Sequence, residues 1–267
     1  RRADVARERH GCRARQAQPG VNDGAVSDAL VPRQIRGLET IVSLDSGASD
    51  PSNRFQSLLK PLLLGLACAL ATLAFIYFGG EVVEGDRRGF DDRLLHIAQA
   101  VRSGRPWLVG VLEDLSALGS PSVLTLFTVV AVGYLAMVSS YQTGLLVAAS
   151  TISAEIVVAV SKASFARARP NAALTELAVP GLSFLSGHSS ISAVVFLTVG
   201  ALLASTRSRT EDRAYVLGIA ASMTLLVGGS RVALGVHWAT DVAGGWALGA
   251  AWALACLLFA RWLAKKR

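Results

Sequence analysis

Six long apolar stretches constrain this chain more than any other feature. The first covers residues 62–80 (LLLGLACALATLAFIYFGG). At about 1.5 Å of rise per residue it is long enough, as a helix, to cross most of the roughly 30 Å hydrocarbon core of a bilayer. The others lie near 123–138, 145–163, 189–204, 215–229 and 242–263. Only 17% of the residues are charged, against about a quarter in an ordinary soluble domain. Apolar residues gathered into runs of this length indicate lipid-facing helices rather than an enlarged soluble core. The fold class that follows is all-α: a polytopic membrane bundle of about six transmembrane helices. Between the first two spans, residues 81–119 mix acids with arginines. There Phe90, Leu94, Ile97 and Val101 recur at spacings of three and four, as do Trp107, Val111, Leu115 and Leu118. Both sets predict short amphipathic helices at the membrane interface.

Residues 1–54 are polar and Arg-rich and lack helical periodicity. They read as a disordered leader with no assigned function, and residues 55–267 as the membrane domain. The net charge of +7 is concentrated in that leader and in short segments flanking apolar runs. Such a distribution suits anionic lipid headgroups; no platform of interleaved aromatic and basic residues favours nucleic acid. Cys68 and Cys256 fall inside apolar runs and Cys12 in the leader, which neither frames disulfides nor spaces ligands for zinc. No metal and no cofactor are expected.

The arginine and lysine bias of the connectors sets an orientation. Residues 206–213 carry three arginines and 261–267 are basic, so both read as cytoplasmic together with the leader and 139–142. Residues 81–119 hold seven carboxylates against five arginines and read as external, with 164–184 and 231–241. The N- and C-termini are then both cytoplasmic.

Three polar clusters at the edges of apolar runs fall on the predicted outer face. They are Lys162 with Arg169-Pro170, Ser186-Gly187-His188, and Ser230-Arg231 followed by His237 and Asp241. Hydrolysis of a phosphate ester spreads negative charge over the equatorial oxygens, and positioned positive charge stabilises it. Lys162, Arg169 and Arg231 supply that charge, the arginines as forked donors. Ser186 and Gly187 open a helix whose backbone N–H groups face an anion, and Gly187 permits close approach. Asp241, one helical turn after His237, is placed to hold one ring nitrogen protonated and aim the other, which makes His237 a nucleophile. His188 is the remaining general acid for the leaving alkoxide.

These clusters resemble the three-part signature of the type 2 phosphatidic acid phosphatase family, whose catalytic core is shared with the vanadium-dependent haloperoxidases. The resemblance runs by motif from Lys162 to Asp241. It implies the same roles: His237 attacks phosphorus, Asp241 orients it, His188 protonates the leaving group, and water hydrolyses the phosphohistidine without a metal. The setting expected is the cytoplasmic membrane of a bacterium. One residue departs from the pattern. The family usually has proline before Ser-Gly-His, and this chain has Leu185, which bears on loop rigidity more than on chemistry.

The function expected is therefore a membrane phosphatase acting on a lipid phosphate or diphosphate. A lipid phosphotransferase using the same residues, and a lipid-phosphate-binding protein without turnover, are the alternatives. A haloperoxidase would bind vanadate on His237, but six spans argue against that typically soluble class. Taken singly, each basic residue also fits an arginine or lysine reaching for headgroups, and His237 with Asp241 a structural pair. Glu155, seven residues before Lys162, is expected to face the bundle interior. Gly245 and Gly249 are expected to permit close helix packing.

Overall fold

The computed structural model describes residues 51–84, 88–138, 141–171, 174, 175, 177 and 180–265. Residues 1–50 of the leader lie outside the described residues. Those described form eight α-helices and no strand: α1 (Pro51–Glu84), α2 (Arg88–Arg102), α3 (Pro106–Ala117), α4 (Pro121–Val138), α5 (Tyr141–Phe165), α6 (Gly187–Ser205), α7 (Thr210–Ala233) and α8 (Ala239–Lys265). α1 thus begins inside the stretch read as leader.

Five of these helices, α1 from Pro61, α5, α6, α7 and α8, are each long and apolar enough to cross a membrane. α3 and α4 meet at a 45° bend and are long and apolar enough only as a pair, the form of a broken span or of a re-entrant loop. The six-span expectation holds when that pair counts as one broken span. α3 is more than an interfacial strip, because it packs along α7. Pro106 occupies its first turn, where a missing N–H costs no helical bond.

Lipid is as apolar as leucine, so helices in a membrane associate through close packing and polar contacts more than through water exclusion. The distribution of small residues follows that rule. α6 is the central helix, two-thirds buried, and contacts α4, α5, α7 and α8. Where α8 crosses it, a Cβ on Gly245 would stand 3.1 Å from the Ser186 carbonyl oxygen, and one on Gly249 only 2.5 Å from that of Ser190. Glycine at both positions is what lets the two backbones touch. α1 lies on the outside against α8, with Leu62, Leu66, Leu70 and Leu73 exposed as a lipid-facing surface. Apolar layers fill the interior: Leu124, Ala154, Val158, Ile191, Val194 and Val195 form one, and Ala131, Leu135, Val147, Val199 and Leu202 the next.

Two expectations about helix faces need amendment. On α2, Phe90, Ile97 and Val101 are exposed as an outward apolar face should be, but the inward face carries charge: Asp91 and Arg102 are buried beside Leu95. Glu155 is exposed on the outer side of α5 rather than turned into the bundle.

Candidate active site

Because α5, α6, α7 and α8 alternate in direction, the C-terminus of α5, the N-terminus of α6, the C-terminus of α7 and the N-terminus of α8 share one end of the bundle. All three sequence clusters sit on those termini or in the connectors beside them, with Arg169 after α5 and His237 between α7 and α8. Lys162 lies in the last turn of α5 and Arg231 in the last turn of α7, where a cation complements the helix dipole. Ser186 caps α6, its hydroxyl accepting the Ser189 N–H. The Ser189 hydroxyl lies 2.9 Å from the same oxygen. The side chain is therefore engaged with its own helix, and what Ser186 contributes is the helix end that it organises.

The α7–α8 turn sets the position of His237. Leu234 and Gly235 N–H groups close onto Ser230 and Val232 carbonyls at 2.8 and 2.9 Å, ending α7. Gly235 has φ +76, the left-handed conformation that glycine adopts without steric cost. Two residues on, His237 is buried, 1% exposed. Its Nδ1 lies 3.4 Å from Asp241 Oδ2 and its Nε2 lies 3.2 Å from Arg169 Nη1. Burial pushes the imidazole down to about 4, although Asp241 pulls it the other way. The ring is then neutral at pH 7, with the Nδ1 proton facing the carboxylate and the Nε2 lone pair facing the cation. That tautomer follows from the hydrogen-bond partners.

Arg169 is fixed by the protein on two sides. Its Nε donates to Gly181 O at 3.1 Å and its Nη1 to Val236 O at 2.8 Å. Burial lowers its pKa, and Asp241 offsets part of that; arginine remains charged at any working pH. Arg231 Nη1 donates to the Ser116 hydroxyl of α3 at 2.7 Å, while its buried Nε has no hydrogen-bond partner among the described residues. Lys162 Nζ reaches the α6 entrance, 3.6 Å from where a Gly187 Cβ would be. His188, half-buried, is within electrostatic reach of Arg231, His237, Lys162 and Arg169. Three cations, two histidines and a helix N-terminus thus gather at one end of the bundle.

Leu185 has a structural account. It is fully buried beneath the site with Phe184, and a Cβ on the α8 residue Gly244 would stand 2.9 Å from Phe184 and 3.0 Å from Leu185. Phe184 meets Phe165 edge to face, 4.6 Å between ring centroids. Side-chain packing anchors this loop where proline would restrict its backbone.

Several site residues escaped the sequence reading. Asp241 also accepts from Arg167 Nη1 at 2.6 Å, from the Trp238 N–H at 3.0 Å and from the Ser183 hydroxyl. Arg167 Nη2 reaches Asp91 of α2 at 2.8 Å. An Arg-Ala-Arg-Pro run was visible at 167–170, but nothing in it says which arginine lies beside His237 and which pairs with the aspartate.

Comparison with known proteins bears on the family and the fold. The PAP2 superfamily profile matches residues 143–265, the stretch from α5 to the end of α8. Phosphatidylglycerophosphatase B of Bacillus subtilis (strain 168) is 30% identical over 181 residues, which cover 66% of this chain and 86% of that protein. The crystal structure of a transmembrane PAP2 type phosphatidylglycerolphosphate phosphatase from Bacillus subtilis superposes with a TM-score of 0.64 at 28% identity, covering 74% of this chain and 94% of the other. The helical bundle, its spans and these relationships lead to one conclusion: the chain belongs to the PAP2 superfamily, as a multi-pass membrane lipid phosphatase.

Proposed function

We propose that the chain hydrolyses a lipid phosphate monoester through a phosphohistidine on His237, with phosphatidylglycerol phosphate the first substrate to test because both relatives carry that activity in their names. The observation that carries the mechanism is the setting of His237, held at Nδ1 by Asp241 and aimed at Nε2 toward Arg169.

The phosphoryl group binds among Lys162, Arg169, Arg231 and the N-terminus of α6, with the buried Nε of Arg231 available as a donor. His237 Nε2 attacks phosphorus as the P–O bond to the lipid breaks. The bonding pair leaves with the oxygen, and His188, carrying the proton it takes up beside the bound phosphate anion, delivers that proton to give the lipid alcohol and is left neutral. The Nδ1 proton stays between the ring and Asp241, which balances the positive charge of the phospho-imidazole. Water then attacks phosphorus, His188 takes its proton, and phosphate leaves with His237 restored. The three cations supply the charge stabilisation that a metal provides elsewhere, so turnover is proposed to be metal-independent.

The site end is proposed to face outward. Arg207 and Arg209 are exposed in the α6–α7 connector at the opposite end of the bundle, with Arg213 half-buried beside them; basic connectors stay cytoplasmic.

Purified protein in detergent micelles tests the substrate and metal claims together. Phosphate release is measured from phosphatidylglycerol phosphate, phosphatidic acid, an isoprenyl diphosphate and a lipid A phosphate, with and without EDTA. Release from the first that survives EDTA and vanishes in His237→Ala is the expected result. Loss with EDTA and recovery with magnesium would sink the mechanism, and preference for another headgroup would change the substrate alone.

A further inference from the structure

The fully buried Asp241 carboxylate is divided between two tasks. Its Oδ2 accepts the Ser183 hydroxyl, the Trp238 N–H and His237 Nδ1. Its Oδ1 accepts Arg167 Nη1 at 2.6 Å. A buried carboxylate stays ionised only when charge and hydrogen bonds replace its water, and Arg167 is the cation in direct contact with it. Arg167 is in turn braced. Its Nη1 also donates to the Thr240 hydroxyl at 2.8 Å, and its Nη2 pairs with Asp91 Oδ2 at 2.8 Å. Asp91, fully buried on α2, accepts the Thr240 N–H at 3.0 Å and the Thr240 hydroxyl at 2.6 Å. That places a carboxylate against the first turn of α8, where the helix dipole favours it. The guanidinium packs over the ring of Trp238, 5.2 Å from its centroid, and the Arg167 carbonyl accepts the Ser183 N–H at 2.8 Å.

All of these contacts lie behind His237. The phosphate-facing Nε2 is on the Arg169 side of the ring. We infer that Arg167, anchored by Asp91, is a positioning residue for this reaction: it fixes the Asp241 carboxylate and, through it, the His237 ring. α2 thereby becomes the outer wall of the catalytic apparatus. The inference rests on the reading of His237 as nucleophile.

A double-mutant cycle separates positioning from a structural or phosphate-binding role. Arg167→Gln, Asp241→Asn, their combination, Arg167→Lys and Asp91→Asn are compared on nitrophenyl phosphate, at enzyme levels that keep a roughly 10⁴-fold loss readable. Arg167→Gln should lower kcat by about tenfold to a hundredfold, the scale seen when an outer partner that orients a metal-bound histidine is removed, with KM little changed. The combined variant should be no slower than Asp241→Asn alone, because Arg167 acts only through that carboxylate. Arg167→Lys should recover part of the loss, since an ammonium can meet one carboxylate but not fork between two. Asp91→Asn should lower kcat in the same sense and less. Should Arg167→Gln fail to fold, Arg167→Lys and Asp91→Asn read the same question. Losses that multiply in the combined variant, or a raised KM with kcat kept, would show that Arg167 binds phosphate directly and overturn the inference. An inactive His237→Ala beside unaffected Arg167 and Asp91 variants overturns only the positioning; an active His237→Ala overturns the nucleophile first.

Discussion

Replacing Asp241 by asparagine separates the charge of this carboxylate from its shape. The side-chain amide has one accepting oxygen, and three donors converge on Oδ2: the Ser183 hydroxyl, the Trp238 N–H and His237 Nδ1. The amide oxygen must take that position. The amide nitrogen then faces Arg167 Nη1, donor to donor, where the carboxylate stood at 2.6 Å. His237 keeps its acceptor and its tautomer, but the negative charge that balances the phospho-imidazole is gone. Lost charge-assisted hydrogen bonds are worth about 1.5–3 kcal/mol each, so the thermal midpoint in detergent should fall measurably without abolishing the fold. Removal of the corresponding aspartate charge behind a catalytic histidine elsewhere costs about 10⁴-fold, with the tautomer also wrong. With the tautomer retained, the loss should lie at about 10²–10⁴-fold in kcat, or roughly 3–5 kcal/mol of barrier. KM should change little, because Lys162, Arg169 and Arg231 are untouched. Phosphate release from micellar lipid phosphate, beside a thermal-shift measurement, reads both effects. A variant that keeps a third or more of the activity, or whose loss lies in KM, would refute the reasoning.

Further outcomes follow from the same geometry. His188→Ala should slow release of a lipid alcohol by about 10²–10⁴-fold but spare the first release of nitrophenolate, which leaves unprotonated; equal losses in a rapid-mixing measurement would make His188 a binding residue. Burial holds His237 down to about 4, and only the unprotonated ring attacks. The acid limb of kcat/KM, corrected for substrate ionisation, should therefore lie near that value, and a limb at 6.5 would contradict the buried, neutral imidazole. Ser103→Cys and Ser208→Cys, placed singly at exposed positions on opposite ends of the bundle in a background lacking the native cysteines, should label oppositely with an impermeant reagent. Labelling of Ser208→Cys alone in intact cells would invert the proposed topology.

The parts of this protein legible in its sequence are those encoded locally. Span lengths follow from runs of apolar residues, and the pairing of His237 with Asp241 follows from a single helical turn. The convergence of three clusters on one face follows from counting spans. What escaped is long in range. Asp91 and Arg167 are 76 residues apart, Ser183 and Asp241 58, and Ser116 and Arg231 115. No periodicity ties such pairs. On α2 the apolar spacing marks the outward face, while the residues that join the site are the charged ones between. In water that pattern means a polar outside; here the inward charges are paired within the protein. Glu155 failed for a related reason, since sharing a face with Lys162 says nothing of whether that face is turned inward.

The central claim is a covalent phosphate on His237, and His188→Ala offers the means to trap it. Nitrophenyl phosphate can phosphorylate the enzyme without an acid, whereas hydrolysis of the intermediate needs His188 to take a proton from water. Mixing this variant with nitrophenyl phosphate labelled in its phosphorus should release a burst of one nitrophenolate per enzyme and leave acid-labile, alkali-stable label on the peptide bearing His237. The combined variant lacking His237 as well should show neither. Burst-free turnover with no label on that peptide, under conditions where the wild type is active, would contradict the mechanism.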